Sequence, residues 1–462
     1  LITLYPDQEQ TLAKLRAELT RNKAVLLQAP TGFGKTALSI KMLVNAQSKG
    51  RRVMFTVPRR DLMVQTSLGF NDYGLDHGYV ASGRDFNPFA KAYIGMVDTM
   101  ARRLDALPAA DLVIIDESHF GQNNLDRVIS HYKKSGSYIV GLSATPWKLS
   151  GEGLGKWYDA MVEGPSIKWL IDNGRLSKYR MFAPSTPDLS KLHITAGDYA
   201  QGELAAFMEQ DPVIMGDAVK HYKEKAMGLL NLVFCASVKH AEMVAQEFKN
   251  KGIPAASIDG SMTDGQRRQI VRAFANREIL VLTNCNLCTF GFDLSLASGL
   301  DVTVECMSDL RPTKSLALQA QKWGRVLRKK NFPAIIFDHA GNVMEHGFPC
   351  SDRAWSLNDR AQGKRKTERV TPTRQCGQCY HVHSPSPACP ECGFVYPIIG
   401  RQVEQVDGEL SELEIETMRI EKRKEQGRAK TLDDLVALAK SRGYKSPTMW
   451  AARVLAGRMA RK

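Results

Sequence analysis

No uninterrupted apolar stretch in these 462 residues reaches the roughly 18 needed for a membrane-spanning helix, so none is expected. No secretory signal is expected either, because Leu1–Gln10 carries Asp7 and Glu9 and leads into an amphipathic helical pattern. The first residue is Leu1 rather than Met, which leaves the extent of the N-terminus open. No repeat recurs at solenoid periods, which removes stacked-repeat architectures. Acidic residues are the scarcer sign, 49 against 63 Lys and Arg, giving a net charge of +14. Such an excess points to a polyanionic partner, nucleic acid above all. Nine cysteines without a secretory signal suit reduced thiols or metal ligands better than disulfides. The expectation is a cytoplasmic enzyme.

The composition is otherwise that of a globular chain, 43% hydrophobic and 24% charged, long enough for about three domains. Its most informative stretch is Ala29-Pro30-Thr31-Gly32-Phe33-Gly34-Lys35-Thr36, between the apolar run Ala24–Leu27 and helical material at Ala37–Val44. A loop between strand and helix aims backbone N–H groups at one point, and the helix N-terminus adds partial positive charge. Gly32 and Gly34 let phosphate oxygens approach, Lys35 reaches the β- and γ-phosphates, and the Thr36 hydroxyl holds Mg²⁺. Ala29 stands where such a loop usually has its first glycine. About eighty residues on, the run Leu112–Ile115 ends in Asp116-Glu117-Ser118-His119. Asp116 is placed to hold Mg²⁺ through water, and Glu117 to activate the attacking water. Either stretch alone is often a tight turn or solvated surface. Together, in this order, they indicate a nucleotide hydrolase that binds ATP or a close relative.

Strand candidates Ala24–Leu27, Arg52–Val57, Ala92–Met96, Leu112–Ile115 and Tyr138–Leu142 alternate with helical patterns, as in a parallel sheet covered on both faces. A second series follows: Leu229–Cys235, Ala255–Ile258, Ile279–Leu282, Val302–Glu305 and Ala334–Asp338. The expected organisation is α/β, with tandem parallel-sheet domains at 1–165 and 166–345. A linker at 346–375, a small cysteine module at 376–393 and a basic helical region at 400–462 come after them. Glu409–Gln426 and Thr431–Lys462 read as helical, interrupted at Gly443–Pro447.

Further segments give these domains a resemblance. They are Tyr5-Pro6-Asp7-Gln8; Val57-Pro58-Arg59-Arg60 with Leu62 and Gln65; Val97-Asp98-Thr99; Ser143-Ala144-Thr145-Pro146; and Phe234–Val244. Thr283-Asn284, Thr289-Phe290-Gly291-Phe292-Asp293 and Gln321-Lys322-Trp323-Gly324-Arg325-Val326-Leu327-Arg328 complete the set. From Tyr5 to Asn342 the chain resembles superfamily 2 DEAD/DEAH-type helicases and translocases. Within them it looks most like the RadD-type DNA repair helicases, a group also found among phage proteins. Arg311-Pro312-Thr313 and Asp338–Asn342 add RadD-like support, whereas Phe290 departs from the small or polar residue common at its place. The resemblance implies two RecA-like domains with ATP between them. It implies that Gln8 reads the base, that Gly291, Asp293 and Gln321 face the nucleotide, and that Arg325 and Arg328 complete the catalytic site from the second domain. It further implies nucleic-acid contacts by Arg59, Thr99, Ser237 and Thr283, and coupling of hydrolysis to domain motion by Ser143 and Thr145.

Cys376-Gly-Gln-Cys379 and Cys389-Pro-Glu-Cys392 are paired C-x₂-C knuckles, the spacing of a tetrahedral Zn²⁺ site and hence of a small zinc ribbon. Thiol redox chemistry is the alternative. Cys285-Asn-Leu-Cys288 lacks a partner pair and reads as packing. Leu432, Leu435, Leu438 and Ala439, then Trp450, Val454, Leu455 and Met459, form a helical stripe suited to a core. Lys364–Lys366, Lys422–Lys424, Arg453, Arg458, Arg461 and Lys462 put basic charge beyond the hydrolase motifs.

The leading expectation is an ATP-dependent DNA helicase or branched-DNA translocase in repair, recombination or replication. An RNA helicase, an ATP-switched nucleic-acid remodelling module and the motor subunit of a nuclease stay open. The tail shows no nuclease carboxylate cluster.

Overall fold

The computed structural model describes residues 3–120, 123–148, 150–184, 187–210, 212–288, 292–359, 372–397, 425–426, 429, 431–444 and 446–459. They fall into two compact units, Leu1–Tyr396 and Pro397–Lys462.

The first unit holds two parallel sheets. Strands β1 (Ala24–Gln28), β2 (Val53–Val57), β3 (Gly78–Val80), β4 (Ala92–Met96), β5 (Leu112–Ile115), β6 (Tyr138–Ser143) and β7 (Ala160–Glu163) pair in the order β3-β4-β2-β5-β6-β1-β7. All pairs run parallel. Every residue of β1, β2 and β5 is buried, which explains their continuous apolar runs: a strand covered by helices on both faces has no polar side to alternate with.

The second sheet takes an outer strand from between the two series. It contains β8 (Tyr179–Phe182), then, beyond a small hairpin of β9 (Ile194–Thr195) and β10 (Asp198–Tyr199), β11 (Asn231–Phe234), β12 (Ala255–Ile258), β13 (Val281–Asn284), β14 (Cys306–Asp309) and β15 (Ala334–Asp338). Their order is β12-β13-β11-β14-β15-β8, again all parallel. The two tandem α/β sheets expected from the sequence are thus present. One strand needs correction. Val302–Glu305 is the lead-in, and the ladder begins at Cys306. Sequence polarity hid this strand, because it ends in Asp309, a buried carboxylate whose two oxygens lie 2.7 and 2.9 Å from the equally buried Lys322 ammonium.

The described part of the expected linker, residues 346–359, packs on both domains. On the second, Tyr179 Oη lies 3.0 Å from Cys350 Sγ, and the Arg353 guanidinium lies 5.7 Å from the Trp323 ring centroid. On the first, Trp355 meets Trp147 with ring centroids 5.2 Å apart, Trp147 Nε1 donates to Asn358 O at 2.9 Å, and Gly155 N donates to Leu357 O at 2.9 Å.

In the second unit, helices Leu432–Ser441 and Pro447–Met459 pack together, with Leu435, Ala439 and Ala451 fully buried. Thr431 caps the first helix in a reciprocal box with Asp434, and Tyr444 stacks on Trp450 at 5.1 Å across the turn. The expected helix Glu409–Gln426 lies outside the described residues except at its end, as do Lys364–Lys366, Lys422–Lys424, Arg461 and Lys462. Among the described residues, no helix is long and apolar enough to cross a membrane.

Candidate active site

The glycine-rich loop leaves β1 at Gln28 and enters the helix Lys35–Gln47. Gly34 caps that helix at φ +93°, a left-handed conformation that glycine adopts without a Cβ clash. Lys35 Nζ donates to Ala29 O at 2.8 Å and Pro30 O at 3.3 Å. Burial lowers the Lys35 pKa, against the charges of Glu117 and Asp116. Thr36 stands exposed at the start of the helix. Gln8 braces the loop from below: its amide donates to Phe33 O at 2.8 Å, and its carbonyl accepts from Tyr5 N at 3.0 Å. Above Tyr5 lies the Arg175 guanidinium, 3.4 Å from the ring centroid and held by Asp7 at 2.5 Å.

β5 delivers the carboxylates to the same end of the sheet. Burial, then the neighbouring charge of Glu117, pushes the Asp116 pKa up to about 7, with Lys35 opposing. Glu117 adopts φ +48°, an uncommon conformation for a side chain of its size. Its Oε2 lies 3.3 Å from His119 Nδ1 and has no well-directed hydrogen bond. That leaves a buried acceptor facing the loop's lysine, as a general base for water requires.

His119 joins this site to the second sheet. Its Nε2 lies 2.9 Å from the amide nitrogen of Gln321, a donor, so Nδ1 carries the ring proton. Nδ1 lies 2.9 Å from Ser143 Oγ, which in turn donates to Thr145 O at 2.5 Å. Burial lowers the His119 pKa and keeps the ring neutral. Gln321, Gly324 and Arg325 share the helix Leu316–Val326. Gly324 touches the loop so closely that a Cβ built on it would fall 2.5 Å from Thr31 Cγ2 and nearer still to Thr31 Cβ. Burial and then the charge of Arg328 lower the Arg325 pKa, while Cys288, Asp293 and Glu117 act against them. Arg328 Nη2 donates to Asp293 Oδ2 at 2.7 Å. Although burial pushes the Asp293 pKa up, Arg328 holds it below the ordinary carboxylate range. Lys35, Asp116, Glu117, Gln321 and Arg325 therefore converge on one cleft.

The remaining sequence candidates divide. Arg59 is exposed just before the helix Arg60–Asp72, and Thr99 is half-buried. Ser237 caps the helix Val238–Asn250 and donates to Glu209 at 2.6 Å. Thr283, expected on nucleic acid, is fully buried, and its hydroxyl donates to Ala241 O at 2.7 Å. It packs strand against helix instead of facing solvent. Gly291 lies outside the described residues. Sequence reasoning quoted His119 but gave it no role. It missed Arg175 altogether, because nothing local marks a residue that meets Asp7 from 168 positions away.

The four knuckle thiols converge. Cys376 Sγ and Cys392 Sγ lie 3.7 Å apart, as do Cys379 Sγ and Cys389 Sγ, and all four are within 4.8 Å of one another. Tetrahedral thiolates ~2.3 Å from one Zn²⁺ sit roughly 3.8 Å apart. The donor set fits that ion, which would supply a structural crosslink between the knuckles.

Residues 1–148 match the family described as "Type III restriction enzyme, res subunit", and residues 215–330 match "Helicase conserved C-terminal domain". A 51.5 kDa protein of Lactococcus phage (isolate 7-9) is 30% identical over 399 residues, covering 86% of this chain and 83% of its own. The Saccharomyces cerevisiae protein named "Putative ATP-dependent helicase IRC3" is 29% identical over 246 residues, 51% of this chain and 34% of its own length. The chain thus spans about a third of that relative. Among solved structures, the ATP-dependent Type ISP restriction-modification enzyme LlaBIII bound to DNA shares the fold, with TM-score 0.51 and 16% identity over 73% of this chain and 27% of that one. With two RecA-like sheets, a nucleotide loop, paired acids and arginines across one cleft, the chain belongs to the superfamily 2 helicases, the nucleic-acid-dependent ATPases.

Proposed function

We propose that this ATP-dependent motor works on DNA as a RadD-like helicase or branched-DNA translocase in repair, recombination or replication, in the cytoplasm of a bacterial or phage-infected cell. The observation that carries the motor reading is the bridge Gln321–His119–Ser143, with Gly324 seated on Thr31: the second domain touches both the base's neighbour and the phosphate loop. In this reading Lys35 and the loop bind the ATP phosphates, and Thr36 and Asp116 hold Mg²⁺, which neutralises phosphate charge. Glu117 accepts the proton of the attacking water. Arg325 and Arg328 counter charge on the γ-phosphoryl group when the domains close. Domain closure and release then shift the two sheets along a strand contacted by Arg59 and Thr99, with Ser143 and Thr145 relaying the state of the site. The net charge of +14 supports a nucleic-acid partner, and the DNA-bound structure of like fold is the reason DNA is placed ahead of RNA. We take the domain limits as 1–165 and 166–345 and assign Zn²⁺ to Cys376, Cys379, Cys389 and Cys392.

The test compares ATPase stimulation by single-stranded, forked and four-way DNA and by RNA over a salt series. DNA should stimulate turnover, with branched DNA strongest, and affinity should fall steeply with salt as counterions are released. Stimulation by RNA alone overturns the DNA assignment. Turnover indifferent to every nucleic acid overturns the motor.

A further inference from the structure

The two cysteine knuckles are built alike. Tyr380 N donates to Cys376 O and Gly393 N to Cys389 O, both at 2.9 Å. Cys376 N donates to His381 O at 2.9 Å, and Cys389 N to Phe394 O at 2.8 Å. The residue after the second cysteine is left-handed in each, Gly393 at φ +74° and Tyr380 at φ +61°. Glycine takes that conformation freely, whereas a tyrosine Cβ crowds its own backbone. The first knuckle thus keeps a strained residue where the second shows that glycine suffices. Broken local rules of this kind are retained where the side chain or its neighbours serve something else.

Tyr380 and its neighbours contact the second sheet. The Tyr380 carbonyl accepts from Ala183 N at 3.0 Å, just past β8, and its ring lies 5.9 Å from that of His221. His381 pairs with Phe182 in an antiparallel bridge, ring centroids 5.4 Å apart, and the Gln375 amide donates to Ala183 O. The second knuckle adds Glu391, set between Cys389 and Cys392. Its carboxylate takes Arg180 of β8 through Nε at 3.0 Å and through Nη2. β8 is the outer strand of its sheet, with β15 on one side and the knuckles on the other. An uncovered edge strand offers free N–H and C=O groups to any passing chain, so covering it protects the domain.

Both docking elements belong to the knuckles themselves. Apart from its cysteines, the module buries only Val382 and His383 among the described residues, too little to hold two loops in place unaided. We propose that metal binding by Cys376, Cys379, Cys389 and Cys392 seats the module on β8, making it a metal-dependent edge cap of the second motor domain. It is then an integral part of the motor rather than a tethered appendage. The proposal rests on the zinc assignment.

The experiment measures metal content and amide exchange on the full chain, before and after zinc removal by a chelator. One zinc per chain is expected, with slow exchange at Arg180–Ala183 that accelerates at least tenfold on chelation while β1 stays slow. Glu391→Ala should keep its zinc yet accelerate the same amides severalfold, which separates docking from metal binding. Tyr380→Gly should do likewise despite relieving backbone strain. Absence of zinc from the purified protein refutes the metal assignment itself. Zinc present, but unchanged exchange at Arg180–Ala183 after its removal, overturns the edge cap. So does acceleration of β1 to the same extent, which would mark general unfolding.

Discussion

Gly324→Ala separates domain closure from domain stability. Inside a helix, alanine is favoured over glycine by about 1 kcal/mol, so the change alone should stabilise the second domain. In the structure the new Cβ would lie 2.5 Å from Thr31 Cγ2, whereas carbon atoms rest at about 3.5–4.0 Å. The helix carrying Gln321 and Arg325 must therefore retreat from the loop by about 1 Å or more. A misplacement of that size in a preorganised site costs on the order of 10²-fold in rate. We expect Gly324→Ala to melt no lower than the parent, to bind ATP through the unaltered loop, and to turn over about a hundredfold more slowly at saturating nucleic acid. Thr31→Gly removes the atoms the new Cβ meets, so the double variant should recover much of the loss. Non-additivity of this kind is the signature of a direct contact. Turnover in Gly324→Ala equal to the parent's, by phosphate release, refutes the claim that this contact accompanies catalysis. Failure of Thr31→Gly to rescue refutes the contact as its cause.

The remaining predictions concern the charges in the cleft. Glu117→Gln should still bind ATP but lose turnover, whereas Lys35→Ala should lose both, and normal phosphate release by Glu117→Gln would remove it as the base. Arg325→Ala should leave ATP affinity within a few-fold while slowing hydrolysis by ~10³ or more, since arginine fingers contribute that much; an unchanged kcat contradicts it. The raised Asp116 pKa of about 7 has a stability consequence: the folded state keeps this proton up to about pH 7, the unfolded chain only to about pH 4. Stability from this group is thus full at low pH and lost as pH rises through about 7. Asp116→Asn should be more stable than the nucleotide-free parent at pH 8, by roughly 1–3 kcal/mol after allowing for its partial exposure. It should show no such gain near pH 4, and denaturant melts with equal midpoints at pH 8 sink the prediction.

The nucleotide end of the molecule was readable from sequence because its chemistry is local. A loop that cradles phosphate must be contiguous, with glycines at fixed places, and Gly32 and Gly34 do take positive φ. The acids follow a strand so uniformly apolar that Leu112–Ile115 has no competing reading. Paired knuckles are equally local, and their thiols do converge. Strand β14 was misplaced because its defining partners are distant: Asp309 is tolerable inside the sheet because Lys322, thirteen residues on and on another element, meets it, and Gln319 and Asn342 donate to it as well.

What escaped the sequence is whatever depends on two distant segments meeting. Thr283 shows the hazard in one direction. It has the residue type and position that resemblance ties to nucleic acid, yet its hydroxyl faces Ala241 O. A threonine near the end of a buried strand can satisfy itself on the packed helix, and no sequence pattern separates that from a phosphate contact. Trp147 shows the hazard in the other direction. It follows the coupling segment Ser143–Pro146 at once and looks like core filler. In the fold it receives the chain returning from the second domain, through Trp355 and Asn358 O. The first domain is therefore tied to the second at two places near the same segment: an inner tie from Gln321 to His119, and a second tie through residues 350–358, which meet Tyr179 and Trp323 on one side and Trp147 and Gly155 on the other. The inner tie can respond to nucleotide, since His119 adjoins Glu117. The second tie reaches Trp147, which directly follows the coupling segment Ser143–Pro146.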